Sequence, residues 1–350
     1  MTASEDIERI QPCIRNRLDR GAIGTKHLAA VIGDAPSRYS RSPSLWNAAF
    51  QALKIPAVYV PLDVDAAQLP ALMTAIRKSD RCLGLNVTVP HKLAVLNYLD
   101  VIDETATRIG AVNTIVRSED GKLLGANTDG QGFVESLMTV QAGSAAPFVG
   151  SLKNVNALIL GAGGSARAVA FALAEKAEHG HLFIANRTHE SAVSLAAEVG
   201  KRFANVLAIR DEEIPDYAPR VDIIVNCTTK GQSGLLEPYS ALAPARPVNP
   251  SEPASASIAH IEANNDASWK LALSIPPGVS FYDLIYHPAE TVFLRHGRVS
   301  GHRTLNGRGM IVAQAAEAFF NHLCRQQLER AGLHTAETRH RILKAMAEAW

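Results

Sequence analysis

The feature that most constrains this chain is a glycine-rich turn set between an apolar run and a helical run. Val155–Leu160 has the largely apolar make-up of a short buried strand. It leads into Gly161-Ala162-Gly163-Gly164-Ser165-Ala166 and then into a helical stretch of about fifteen residues. The spacing is G-x-G-x-x-A. Gly161 permits the tight turn, Gly163 removes a side chain where a pyrophosphate must approach the backbone, and Ala166 lets helix and strand pack closely. Ala162, Gly164 and Ser165 complete a loop whose helix start offers N–H groups and a positive dipole end to phosphate. Strands at Leu182–Ala185 and Val221–Val225, with a helix over Glu190–Phe203 between them, extend this to a βαβαβ unit.

The end of the second strand of that unit bears on the identity of the dinucleotide. An NAD-specific site usually carries an Asp or Glu there to accept the ribose 2′-OH. This chain has Asn186-Arg187-Thr188 about 20 residues after the glycines, with no carboxylate to repel a 2′-phosphate. Arg187 can pair with such a phosphate through its guanidinium fork, and Asn186 and Thr188 can add neutral hydrogen bonds. The pattern favours NADP(H).

Upstream, apolar strands alternate with helical segments. Strands are expected at Leu28–Gly33, Ala57–Leu62, Leu83–Val89, Ala111–Val116 and Leu123–Ala126. Helices are expected at Pro43–Leu53 with Ser42 as N-cap, at Ala66–Lys78, near Lys92–Leu99 and near Asp103–Ile109. This alternation marks a first α/β domain over residues 27–130, followed by a dinucleotide-binding domain over residues 131–306. A length of 350 residues fits two domains at roughly 100–200 residues each. Gly307 to about Ala331 reads as helical with Gly332 just past its end, and the tail to Trp350 as a further amphipathic helix. Residues 1–26 are polar and weakly patterned and read as an N-terminal extension. Residues 233–277, rich in Pro, Ala and Ser, read as an insertion forming a solvated, partly disordered loop.

Lys+Arg and Asp+Glu nearly balance, at 35 and 34, which argues against a nucleic-acid binder with a broad basic face. No apolar run approaches the roughly 20 residues of a membrane helix, and the N-terminus lacks the pattern of a signal peptide. Cys13, Cys82, Cys227 and Cys324 have no metal-ligand spacing and read as reduced thiols. A cytoplasmic protein that binds small molecules, without a metal, is the expectation.

Two polar clusters sit where open α/β sheets place their chemistry, at the carboxyl ends of strands. One is Asn86-Val87-Thr88-Val89-Pro90-His91-Lys92 and the other Asn127-Thr128-Asp129-Gly130. A lysine held near a carboxylate can move a proton in carbonyl/alcohol chemistry. Several stretches, in order and over roughly residues 28–325, give the chain a close resemblance to the shikimate dehydrogenase family. They are Ser40-Arg41-Ser42-Pro43, NVTVPHK (86–92), GAVNT (110–114), NTDG (127–130), GAGGSAR (161–167), NRT (186–188), VNCTTKG (225–231), YDLIY (282–286) and NGRGMIVAQAA (306–316).

The resemblance implies reversible NADPH-dependent reduction of 3-dehydroshikimate to shikimate, on the route to chorismate and the aromatic amino acids. It also implies an α/β substrate-binding domain completed by helices over 307–350, a Rossmann-type NADP-binding domain, and a monomer or homodimer. Ser40 and Ser42 resemble the pair that binds the substrate carboxylate, and Tyr286 a further substrate contact. Thr88, Asn113, Asp129 and Gln314 resemble residues that bind the ring hydroxyls, and Lys92 the catalytic lysine that Asp129 holds in line. Glu104, Leu284 and Gly307 match positions that touch the cofactor. The family usually has a second cation three residues beyond the NRT segment, where this chain has Ser191. Two alternatives were open to the sequence: an NAD-linked quinate/shikimate dehydrogenase and a non-catalytic shikimate-binding regulator. Ser42 and the missing acid disfavour the first, since quinate-accepting relatives often have Thr at the Ser42 position. The presence of both Lys92 and Asp129 disfavours the second.

Overall fold

The computed structural model describes residues 3–141, 144–245 and 254–350. The chain divides into two compact units, one running to Gly132 and taking in Ile311–Trp350, the other Phe133–Met310.

The first unit is built on a mixed six-stranded sheet. Its strands are β1 (His27–Gly33), β2 (Ala57–Asp63), β3 (Cys82–Val87), β4 (Val101–Ile102), β5 (Thr114–Arg117) and β6 (Leu123–Ala126), in the order β2-β1-β3-β5-β6-β4. β1 runs parallel to β2 and β3, whereas β5 is antiparallel to β3 and β6. The sheet is covered on both faces, so β1 reads as a continuous apolar run. Side-chain alternation divides that run between two cores. Leu28, Ala30 and Ile32 join Leu72, Ile76 and Leu85 on one face, while Ala29 and Val31 join Trp46, Phe50 and Phe319 on the other. Trp46 stacks on Tyr59 with ring centroids 4.8 Å apart and also meets Phe319 at 5.2 Å. Pro61 is tolerated because β2 is an edge strand.

Several sequence expectations are corrected in this unit. The expected N-terminal extension is structural: Ile7, Ile10, Cys13, Leu18 and Ile23 are all buried in the first core. The sequence allows a helix there, and Ala3–Ile10 forms one, with Ile7 and Ile10 turned to the core. The expected helix near Lys92–Leu99 is a turn followed by a five-residue 3₁₀ segment, Ala94–Tyr98. Ser42 is the first residue of the Ser42–Leu53 helix rather than its cap, and the Ser40 hydroxyl accepts the Ser42 N–H at 3.2 Å. The Gly307–Ala331 stretch divides into an α-helix over Arg308–Glu317, a π-helical turn over Ala318–Leu323 and a short helix over Arg325–Arg330.

The second unit is a parallel six-stranded sheet of β7 (Ala157–Leu160), β8 (Leu182–Ala185), β9 (Val206–Ile209), β10 (Ile223–Asn226), β11 (Ser280–Asp283) and β12 (Thr304–Leu305). The order β12-β11-β10-β7-β8-β9 is the doubly wound arrangement, and its direction reverses between β7 and β10. The glycine-rich turn leaves β7 at that switch point.

Parallel strands need a crossover, and the one between β10 and β11 corrects the reading of residues 233–277. Instead of a solvated loop, this region holds a buried segment, Tyr239–Ala243, and a 21-residue helix, Ala254–Ser274. Residues 246–253 of the expected loop lie outside the described residues. The helix is hard to see in sequence because polar side chains do its packing. Asn264 is buried; its carbonyl accepts the Ser240 N–H at 2.7 Å, and its amide group donates to the carbonyls of Ser240, Ala243 and Pro244 at 3.0–3.1 Å. Ser268 donates to the Ser240 hydroxyl at 2.6 Å. Asn264→Ala leaves several of these buried groups without partners, each costing about 1–3 kcal/mol. Urea denaturation should therefore show a loss of about 2 kcal/mol or more, and an unchanged midpoint would mean that water replaces the amide.

Candidate active site

In the first unit the site begins where β3 ends. Thr88 N donates to the Ile32 carbonyl at 2.9 Å, and the Thr88 methyl lies so close to Gly33 that a Cβ there would approach it to 2.4 Å. His91 is buried; its ring meets the Val64 carbonyl at 2.8 Å, and its N–H donates to the Thr88 carbonyl at 3.0 Å. These contacts close the turn and leave Lys92 pointing inward.

The carboxylate comes from the other polar cluster. Asp129 opens the Asp129–Met138 helix just after β6, and its N–H donates to Asn127 Oδ1 at 3.0 Å. Asn127 in turn donates to the Ala111 carbonyl at 2.9 Å. Lys92 Nζ lies 2.5 Å from Asp129 Oδ2, with only 13% and 7% of the two side chains exposed. Asn113 Nδ2 donates to Asp129 Oδ1 at 2.8 Å, so both carboxylate oxygens are engaged. Asn113 Oδ1 accepts from Thr128 N at 2.9 Å and from the Thr114 hydroxyl at 2.8 Å. Gln314, also buried, meets Asn113 Nδ2 through Oε1 at 3.3 Å. Its backbone comes close because Gly132 has no side chain: a Cβ there would lie 2.7 Å from Gln314 N.

A buried hydrogen-bond chain ties this cluster to Tyr59 of β2. The Ser42 side chain lowers the pKa of the Tyr59 phenol, but burial outweighs it and holds that phenol well above its usual pKa, as a proton donor. Tyr59 OH donates to Asn86 Oδ1 at 2.7 Å, Asn86 Nδ2 to Thr114 Oγ1 at 3.2 Å, and Thr114 Oγ1 to Asn113. Tyr59 escaped the sequence reading because a strand Tyr carries no signal of its partner, whereas Thr114 stood in the GAVNT stretch with no role assigned to it. Asn86, Asn127 and Thr128 lay inside the polar clusters, so their motifs were the available signal.

In the second unit, Gly161 adopts φ +116°, and a Cβ there would lie 3.1 Å from the Cys227 backbone. Only glycine fits that left-handed position beside the β10 loop. Gly163 faces open space, with no atom within 4 Å of where a Cβ would be, and the helix Gly164–Ala177 starts beside it. Ala166 is fully buried against the strand. Asn186 donates to the Thr188 carbonyl at 2.9 Å, while Arg187 and Thr188 are exposed at the end of β8. An open glycine, a 14-residue helix N-terminus and an exposed guanidinium in a segment without an acidic residue fit the diphosphate and 2′-phosphate of NADP(H).

Leu284 and Gly307 are neighbours, since a Cβ on Gly307 would strike the Leu284 carbonyl at 2.0 Å. Tyr286 is half-buried two residues beyond Leu284. Glu104 sits exposed in the first turn of the Glu104–Ile109 helix of the first unit.

The loops after β10 and β11 share one anchor. Asp283 is fully buried and accepts from Asn226 Nδ2 at 3.0 Å, Ile285 N at 2.9 Å and the Thr291 hydroxyl at 2.6 Å. Burial outweighs these donors and raises its pKa from 3.8 to about 7. A folded pKa above the unfolded one means that the contribution to stability is complete below about pH 4 and is lost as pH rises through about 7. Urea denaturation at pH 5 and pH 8 should show a larger fall for the native protein than for Asp283→Asn. The same fall in both would mean that Asp283 stays ionised throughout.

The chain matches two family profiles: "Shikimate dehydrogenase substrate binding domain" over residues 31–115 and "Shikimate / quinate 5-dehydrogenase" over residues 144–238. It is 39% identical over 295 residues to the shikimate dehydrogenase (NADP(+)) of Moorella thermoacetica, covering 83% of this chain and 86% of that protein. It is 36% identical over 291 residues to the enzyme of the same name from Lysinibacillus sphaericus, covering 83% and 90%. Among solved structures, shikimate 5-dehydrogenase of Thermus thermophilus in complex with NADP(H) and shikimate aligns with a TM-score of 0.66 and 30% identity, over 93% of this chain and 100% of that one. With identity of this extent across both units, the chain belongs to the shikimate dehydrogenase family.

Proposed function

We propose that this chain catalyses the reversible NADPH-dependent reduction of 3-dehydroshikimate to shikimate, in the biosynthesis of chorismate and the aromatic amino acids. The observation that carries this reading is the buried Lys92–Asp129 pair with Asn113 locked onto its second carboxylate oxygen. Reducing a ketone requires a proton at the oxygen as hydride reaches the carbon, and bound NADPH supplies that hydride. Lys92 gives the proton from Nζ and regains one from solvent; in the oxidative direction it takes the proton from the alcohol. Asp129 holds the ammonium in place, and Asn113 keeps the carboxylate from turning.

Binding is assigned to groups that match the substrate's chemistry. The Ser40 and Ser42 hydroxyls donate to its carboxylate, and Thr88, Asn113, Asp129 and Gln314 meet its ring oxygens with short donors and acceptors. Tyr286 is assigned a further substrate contact. The Gly161–Ser165 loop takes the diphosphate, and Asn186, Arg187 and Thr188 take the adenosine 2′-phosphate. Glu104, Leu284 and Gly307 are assigned to the cofactor as well. The absence of an acid in the Asn186-Arg187-Thr188 segment, together with Ser42, favours this reading over an NAD-linked quinate dehydrogenase. A cytoplasmic setting suits the four free thiols. Among the described residues no helix is long and apolar enough to cross a membrane. A monomer or homodimer is the proposed assembly.

NADPH formation from shikimate and NADP⁺, followed by absorbance, tests the activity. Folded protein that binds shikimate without turnover would sink it, and a higher kcat/KM with quinate and NAD⁺ would reassign it. Lys92→Ala should lower kcat by about 10²-fold or more, as general acid–base groups contribute about 10²–10⁴, with a smaller change in KM. A raised KM at unchanged kcat would make Lys92 a binding residue only. Arg187→Ala should weaken NADP⁺ much more than NAD⁺ in equilibrium titrations, and equal losses would remove the arginine from the 2′-phosphate.

A further inference from the structure

Arg187 is one cation where a 2′-phosphate carries close to two negative charges. The position three residues beyond the NRT segment is Ser191, which is exposed and uncharged. A second cation nevertheless lies close by, and it comes from a different strand.

Lys230 sits in the loop after β10. That loop is rigidly tied: Asn226 Nδ2 donates to the Lys230 carbonyl at 3.1 Å, Lys230 N to Thr228 Oγ1 at 3.1 Å, and Gly231 N to the Leu236 carbonyl at 2.8 Å. The Lys230 side chain is 13% exposed, and its Nζ faces Asp211 Oδ2 at 3.8 Å. Asp211 follows β9. In this sheet β7 and β8 lie between β10 and β9. An ammonium from the β10 loop that meets Asp211 therefore extends across the carboxyl ends of β7 and β8. Those ends carry the Gly161–Ser165 turn and Arg187.

The electrostatics agree with that position. Burial holds the Lys230 pKa below its usual value, and the positive charge of Arg187 pushes it the same way, against the pull of Asp211. The two cations are thus near enough to repel each other. An ammonium has three N–H donors. One is used by the Ala243 carbonyl at 3.0 Å, and 3.8 Å to Asp211 is beyond hydrogen-bond length. Asp211 and the Ala243 carbonyl leave part of the ammonium's donor capacity unused, and a doubly charged anion between Lys230 and Arg187 would fill it and relieve their repulsion.

We propose that Lys230 is the second cation of the 2′-phosphate site and acts with Arg187 where Ser191 provides no charge. The assignment rests on the NADP(H) reading above. It also gives the β10–β11 crossover a part in specificity. The Ala243 carbonyl that fixes Lys230 Nζ is itself held by Asn264 of the Ala254–Ser274 helix at 3.0 Å.

The test is equilibrium binding by titration calorimetry, with 2′,5′-ADP against 5′-AMP and NADP⁺ against NAD⁺. Lys230→Met keeps much of the side-chain volume and removes the charge. It should weaken 2′,5′-ADP and NADP⁺ by about tenfold to a hundredfold, the range for a lost hydrogen bond between charged groups, and leave 5′-AMP and NAD⁺ within about twofold. The NAD⁺ value measured on the same sample reports that the protein is folded. Lys230→Arg should retain the preference, and adding Ser191→Arg to Lys230→Met should restore it. Equal losses for the phosphorylated and plain ligands, or no loss at all, would overturn the assignment. So would recovery in the double variant Lys230→Met/Asp211→Asn, because Lys230 would then only mask an acid that repels phosphate. Wild-type protein that binds 2′,5′-ADP and 5′-AMP alike would overturn the NADP(H) reading and the Lys230 assignment together. A preference that survives Lys230→Met would overturn the Lys230 assignment alone.

Discussion

Two opposite charges buried side by side at the ends of β3 and β6 set the terms for the first unit. Removing an ammonium and a carboxylate from water costs several kcal/mol per ion in effective terms, and their mutual attraction compensates only when the remaining hydrogen-bond capacity is filled. Here it is filled from several directions. Asn113 binds the second oxygen of Asp129, Thr128 and Thr114 hold Asn113, and Asn127 fixes the backbone of Asp129. These partners come from the start of β5 and the end of β6, and Lys92 follows β3, so the pair exists only when the β3-β5-β6 portion of the sheet is assembled in register. The same argument explains the close backbone approaches at Gly33 and Gly132, where any side chain would push Thr88 or Gln314 away.

The hydrogen-bond chain through Tyr59, Asn86 and Thr114 extends this order to β2. Its members are buried and polar, and such groups are costly unless every one is satisfied. A site of this kind is stiff. Tyr59, Asn113 and Asp129 are joined by one connected set of bonds, so the groups proposed to meet the ring oxygens of a small rigid substrate are held in place before it arrives.

The second unit is proposed to meet a different demand, the recognition of phosphate, largely with backbone. Gly161 and Gly163 shape the turn, the helix beginning at Gly164 supplies N–H groups, and side chains add charge at the rim. The β10–β11 crossover supports the rim. Asn264 of its long helix binds the Tyr239–Ala243 segment, and that segment binds Lys230. Asp283 anchors the neighbouring loops from below.

Much of this was legible in the chain itself. The α/β alternation, the glycine turn, Arg187 without an acidic neighbour, and the Lys92 and Asp129 clusters are local signals, because turns, helix starts and strand ends are specified by residues close in sequence. Expectations failed where packing is polar or non-local. The Ala254–Ser274 helix buries Asn264 and Ser268 and so shows no clean apolar period, and Ile7 and Ile10 find their core among residues far along the chain. Lys230 carries no local signal of its partner Asp211, which follows a different strand. Sequence by itself determined which chemical groups stand at the strand ends. Only the tertiary structure decided which of them meet, because the partners of Asp129 and Lys230 arrive from separate strands, and that encounter is fixed by sheet order and burial rather than by any local pattern.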